Sequence, residues 1–76
     1  MTEQELKDAN RRKVPVEWRG RHDYERMLGQ VTALIYRYLD DKEVLSAEIT
    51  SFDGKRSCVI CRPEEVYLWS PLQPTT

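Results

Sequence analysis

The stretch from Gly29 to Leu39 reads Gly-Gln-Val-Thr-Ala-Leu-Ile-Tyr-Arg-Tyr-Leu, and it decides between two folds. The apolar residues between positions 23 and 39 fit the spacing of an amphipathic helix. Against that helix, Gly29 in its middle costs about 1 kcal/mol relative to alanine, and the β-branched and aromatic residues that follow favour a strand. We predict a strand over Val31–Leu39. The alternative is an α+β fold with a helix over 23–39 packed on a β-hairpin.

Downstream of this stretch, Asp53-Gly54 is the clearest turn signal in the chain. Asp-Gly between two alternating segments is typical of a two-residue hairpin turn, because both central positions need a positive φ. The turn predicts that residues 45–51 pair with residues 56–61.

Five segments have the composition of strands, and the connections after Leu39 are short. Pro15 confines the first segment to a sheet edge or to the start of a strand. The pattern predicts a mainly β fold: a small antiparallel meander, or a partly open barrel of the SH3-like or Sm-like kind, with four or five strands. The segments are Val14–Trp18, Val31–Leu39, Val44–Thr50, Arg56–Cys61 and Val66–Trp69.

Domain boundaries follow from composition. Residues 1–13 are polar, and although Thr2 and Glu5 have the spacing of a capping box, so short a helix is marginal by itself. We expect a flexible N-terminal tail over 1–13, a single small β-rich domain over 14–69, and a flexible C-terminal tail over 70–76.

Charge and hydropathy limit the function. The chain has 76 residues and a net charge of −1, which argues against a dedicated nucleic-acid-binding domain. No apolar run is long enough to cross a membrane, and the polar start lacks the features of a secretory signal. These features predict a cytoplasmic protein that does not act at a membrane, and its two cysteines are then expected to be reduced.

Parts of this pattern resemble a known group. Gly29-x-Val-Thr-Ala-Leu-Ile, the alternation around Ala47-Glu48-Ile49, and Ser57-x-Val-x-x-x-Pro-Glu-x-Val66 are similar to small uncharacterised bacterial proteins associated with mobile elements. The resemblance covers residues 29–67. It implies no activity and no functional residues.

The candidate binding residues are aromatic and basic. Rings of the kind that interfaces favour could form a partner-binding surface, for an unknown protein or for self-association as a homodimer. They are Trp18, Tyr36, Tyr38 and Trp69. The alternative is a nucleic-acid accessory protein that uses the basic segment 11–21, with Arg11, Arg12, Lys13, Arg19 and Arg21, beside interleaved aromatic residues.

Catalytic and metal chemistry find little support in the sequence. Cys58 and Cys61 have the spacing of half a zinc site, but a structural zinc site needs four ligands and the chain has one histidine, His22. We interpret the cysteines as small apolar residues; a metal shared across a dimer stays an alternative. No nucleophile and base are paired, so we predict no enzyme, no catalytic residue, no metal and no cofactor.

Overall fold

The computed structural model describes residues 1–54 and 57–69. Its five strands form one antiparallel sheet in the order β4-β3-β2-β1-β5. The mainly β fold predicted from the sequence is confirmed, and the alternative helix over 23–39 is wrong. In chain order the elements are α1 (Glu3–Arg12), β1 (Pro15–Arg19), β2 (Arg26–Leu39), β3 (Lys42–Ser51), β4 (Cys58–Cys61), a 3-10 turn (Pro63–Glu65) and β5 (Val66–Leu68).

The sheet must curve strongly. Strands β4 and β5 lie at opposite edges, which in a flat five-stranded sheet would stand about 19 Å apart. Only residues 62–65 join them, and three of these form a 3-10 turn that rises about 2 Å per residue. The two edges therefore approach each other, although they do not pair in the described part of the chain.

A single core lies on the inner face of this curved sheet, and α1 and every strand contribute to it. None of its buried residues is polar or charged. Since all six elements share one core, the described chain is a single unit. The core residues are Leu6, Ala9, Val16, Val31, Ala47, Ile49, Cys61 and Val66.

The N-terminal segment differs from expectation. Residues 1–13 contain a capped helix rather than a flexible tail, and Leu6 is completely buried. The side chain of Asn10 donates to the carbonyl of Val31 at 2.7 Å, which ties α1 to β2. Local propensity alone could not predict this helix, because its stability comes from packing on the sheet. The C-terminal tail predicted over 70–76 lies outside the described residues.

A β-bulge divides β2 into two halves. The register with β3 shifts between Val31 and Ala33, so that Thr32 is the extra residue. Val31 faces the core before the bulge and Leu34 faces it afterwards, opposite Ile49 and Ala47 respectively. With strict alternation Val31 and Leu34 would lie on opposite faces, and the bulge places them on the same face.

The tight hairpin turn lies at Asp40-Asp41 rather than at Asp53-Gly54. Leu39 pairs with Lys42, and the two aspartates between them have φ values of 50° and 62°, as a two-residue turn requires. Gly54 also has a positive φ, of 78°, but Thr50 pairs with Cys58, so a longer loop joins β3 to β4. The Asp53-Gly54 signal identified the right connection but not its length.

Gly29 has a packing role inside β2. A Cβ atom at this position would lie 2.2 Å from the carbonyl oxygen of Thr50, closer than any side chain can come to a backbone atom. The sequence marked Gly29 as a helix breaker, and the structure adds the close approach of β3.

We expect Leu6→Ala to lower the free energy of unfolding by about 2–5 kcal/mol, because it opens a cavity in the core. Urea denaturation followed by circular dichroism measures the change. Lys7→Ala, at an exposed position on the same helix, is the control. Equal stability of the two variants would mean that α1 does not belong to the folded unit.

Candidate partner-binding surface

Beyond the core, β2 and β3 continue as a two-stranded arm, which we define as residues 35–46. Strand β1 pairs only with residues 26–30 of β2, and β4 only with residues 47–50 of β3. Over the arm, the two strands therefore pair with each other alone. The curved sheet does not flank the arm on either side.

The arm carries exposed apolar side chains on both faces. Tyr38 is 73% exposed and Leu39 is 60% exposed, and Tyr36 and Val44 are exposed as well. Tyr36 pairs with Leu45 on the inner face, the face that continues from the core. Isolated exposed apolar residues are ordinary, but a group of them on one projecting element indicates a binding surface.

Carboxylates hold both tyrosine hydroxyls. The hydroxyl of Tyr36 donates to Oε2 of Glu3 at 2.6 Å, and that of Tyr38 donates to Oε2 of Glu43 at 3.2 Å. The bond to Glu3, with burial and the negative charges of Glu3 and Glu43, raises the pKa of Tyr36 to about 12. The bond to Glu43 likewise raises the pKa of Tyr38. These bonds fix the rings, and the first one joins the arm to the start of α1.

The two tryptophans lie elsewhere. Trp18 is half-buried in β1 and packs against the core, and its indole Nε1 is buried with no acceptor among the described residues. Trp69 follows β5, where its backbone N–H donates to the carbonyl of Pro15. No ring contact between these residues and the arm tyrosines occurs in residues 1–54 and 57–69. The four predicted rings therefore do not form one cluster.

The basic segment 11–21 is split by β1. Lys13 precedes this strand and Arg19 is its last residue, so four strand residues, about 13 Å, separate the two groups of cations. Arg11 pairs with Asp8 at 2.8 Å, and Arg19 pairs with Glu17 at 2.6 Å while its guanidinium lies over the ring of Tyr67. The segment does not present one continuous row of unengaged cations.

An aromatic pair that sequence reasoning missed lies in the loop between β1 and β2. The rings of His22 and Tyr24 stack with centroids 5.3 Å apart and nearly parallel planes. Tyr24 is 81% exposed, and Arg21 and Arg26 flank the pair in sequence. The signal in the sequence that could have predicted this stack is an aromatic residue, Tyr24, two positions after His22.

The two cysteines cannot act together on one face of β4. Cys58 is exposed and Cys61 is buried, and both are free thiols. Burial, with a smaller effect of the Glu65 carboxylate, raises the pKa of the Cys61 thiol to about 11. The described residues contain no group of three or more His, Cys, Asp or Glu side chains arranged to hold a metal ion.

A groove of about 350 Å³ runs along α1 beside the end of β5. Its lining mixes two carboxylates and one guanidinium with apolar side chains. Its lining residues are Met1, Glu5, Asp8, Ala9, Arg12, Val14 and Leu68.

No protein-family model, curated protein or solved structure matches the chain. The resemblance to proteins of bacterial mobile elements therefore stays a prediction. Among the residues that the structure describes, no helix has the length and apolar character needed to cross a membrane.

We expect the Tyr36 phenol to ionise near pH 12 and Glu3→Gln to lower that pKa, because the variant removes the carboxylate that accepts its hydrogen bond. The pKa in the folded state lies above the ordinary tyrosine pKa of 10, so the contribution to stability is complete below pH 10 and is lost as the pH rises towards 12. Ultraviolet titration of tyrosinate, with Tyr36→Phe to assign the signal, measures the pKa. Glu64→Gln, in the 3-10 turn, is the control; an equal shift there would contradict the contact with Glu3.

Proposed function

We propose that the protein is a non-enzymatic interaction module whose partner-binding surface is the arm, with Tyr36 and Tyr38 at its centre. The observation that carries this proposal is the exposure of large apolar side chains on both faces of a hairpin that the rest of the sheet does not flank. Of the predicted partner-binding residues, these two belong to the proposed surface. Trp18 and Trp69 do not lie on the arm.

The arm has little stability of its own. A two-stranded hairpin in water is marginally stable at best, and the arm has only its base on the core. Burial of its apolar side chains against a partner stabilises the complex by about 25 cal/mol per Å² of apolar surface. The hydrogen bonds from Tyr36 to Glu3 and from Tyr38 to Glu43 hold the rings before binding, which reduces the entropy lost in the complex.

The proposal includes the finer description of the fold as a partly open, SH3-like barrel. Two features support it: the strand order, in which the last strand lies beside the first, and the short connection from β4 to β5. Function does not follow from this architecture, because small barrels have many unrelated functions. The proposed function therefore rests on the arm.

Tyr38→Ser tests the proposal. Capture from a cell extract by the wild-type protein identifies a partner, and we expect Tyr38→Ser to weaken binding of that partner more than tenfold, as loss of an aromatic anchor does. Tyr24→Ser is the matched control, because Tyr24 is also an exposed tyrosine but lies off the arm. Equal binding by both variants would disprove a role for the arm.

A second candidate function is nucleic-acid binding, favoured by the exposed His22–Tyr24 stack next to Arg21. Aromatic rings beside arginines can stack on unpaired bases while the cations contact phosphates. The other cations predicted for this function are Arg11, Arg12, Lys13 and Arg19. Of these, Arg11 and Arg19 already pair with carboxylates.

For this second function, we expect binding of a single-stranded oligonucleotide that weakens steeply with salt, because phosphate contacts release counterions. Fluorescence anisotropy at two salt concentrations measures the effect. Tyr24→Ser should reduce affinity, while Tyr38→Ser should not. Absence of binding at low salt would reject this candidate.

A further inference from the structure

The outer edge of β4 presents backbone groups that no strand among the described residues pairs with. The N–H of Ser51 donates to the carbonyl of Ser57 at 2.8 Å, and the register continues with Thr50 opposite Cys58. In an antiparallel ladder, residues alternate between pointing their N–H and C=O groups at one neighbour and at the other. Residues 57, 59 and 61 therefore bond to β3. The backbone groups of Cys58 and Ile60 point away from the sheet.

The opposite edge is largely occupied. In β5 the backbone groups of Val66 and Leu68 point outward, because Trp69 donates to Pro15 on the inner side. The N–H of Val66 donates to the carbonyl of Pro63, and the carbonyl of Val66 accepts from the main-chain nitrogen of Met1 at 3.1 Å. This leaves one residue, Leu68, with outward backbone groups that no bond described in the structure uses.

Strand β4 is short, with four residues, but it carries none of the side-chain features that protect an edge. Natural edge strands carry charges, prolines or bulges that prevent pairing with another chain. The sequence of β4 is Cys-Val-Ile-Cys, and Ile60 is 50% exposed. An uncharged edge strand whose outward N–H and C=O groups bond to no described residue is suited to pairing with another uncharged strand.

We propose that β4 pairs antiparallel with β4 of a second copy of the chain, about a two-fold axis. The four residues of β4 carry no charge, so within the paired strands no like charges face each other. The proposal goes beyond the proposed function, since it assigns a second copy to the edge of β4. It uses a surface outside the arm, so the two can fail separately.

The backbone fixes the register of this pairing. Directly opposite residues of two paired strands lie on the same face of the sheet. The exposed Cys58 and Ile60 of one copy therefore stand opposite Cys58 or Ile60 of the other copy. Arg62 cannot extend the ladder, because its N–H donates to Oε1 of Glu65 and its carbonyl accepts from the N–H of Glu65, both at 3.0 Å. The register with most bonds from described residues places Cys58 opposite Ile60 of the second copy, with four hydrogen bonds. Val59 then lies on the axis.

Disulfide trapping tests the register. In a Cys58→Ser, Cys61→Ala background, Val59→Cys places two thiols at a non-hydrogen-bonded pair, where Cα atoms stand about 4.5 Å apart and a disulfide fits. We expect mild oxidation to give a covalent dimer. Val44→Cys in the same background is the control, at an exposed position on the arm. A dimer only through Val44→Cys would overturn the β4 proposal while supporting the arm. A wild-type chain that forms a disulfide dimer through Cys58, while the Val59→Cys variant forms none, would overturn the register.

Ile60→Pro tests the backbone pairing without cross-links. Proline is tolerated at this edge position because its missing N–H points away from β3, and circular dichroism checks that the fold is retained. Each dimer loses the two Ile60 N–H donors, so we expect the dimerisation constant to weaken on the order of tenfold or more. Ile60→Thr, which keeps the N–H, is the matched control.

Sedimentation velocity over a range of concentrations gives the dimerisation constants. So short a ladder predicts a weak dimer that is unaffected by Tyr38→Ser. A wild-type chain that stays monomeric at every concentration, or an Ile60→Pro variant that dimerises as well as the wild type, would overturn the proposal. A monomer whose Cys58 and Ile60 amide signals shift only when a foreign protein is added would assign the edge to that protein and equally overturn it.

Discussion

The register change at Thr32 is the constraint on which the rest of the structure depends. Because β3 sets one residue, Glu48, against two residues of β2, the side chains of β2 exchange faces at this point. Val31 faces the core before the bulge, and Tyr36 faces the same side after it. Without the bulge, Tyr36 would point to the outer face and could not reach Glu3 on α1. The hydroxyl of Thr32, bonded to Glu48 at 2.6 Å and to Thr50 at 2.9 Å, holds the two strands together at the outer side of the bulge.

The helix follows from that arrangement. By itself, the curved five-stranded sheet would leave its inner face open to water, and α1 covers this face with Leu6 and Ala9. Three contacts fix its position along its length: Met1 on the 3-10 turn and β5, Glu3 on the arm, and Asn10 on β2. A chain of this size buries only about 60% of its unfolded surface, so the helix forms an essential part of the core.

The same contacts cover one edge of the sheet and not the other. Met1 occupies the β5 edge, whereas no described residue pairs with the outer edge of β4. On the arm, the described contact with α1 is the hydrogen bond from Tyr36 to Glu3. Each of the two proposed binding surfaces is therefore a place where a strand is not flanked by another described strand. The predicted aromatic residues divided along this line: Tyr36 and Tyr38 lie on the uncovered arm, and Trp18 packs against the core.

The sequence by itself determined the elements whose signal is local. The β-branched run after Gly29 predicted β2, the composition of Val44–Thr50 predicted β3, and Asp53-Gly54 predicted a connection between two paired strands. It also contained the capping box of α1, but it could not show that Leu6 would be buried, because burial depends on residues distant in the chain. Tertiary structure alone decided the bulge, the two-residue turn at Asp40-Asp41 and the free edge of β4. Each of these depends on which backbone groups meet across strands, and the order of side chains along one strand does not contain that information.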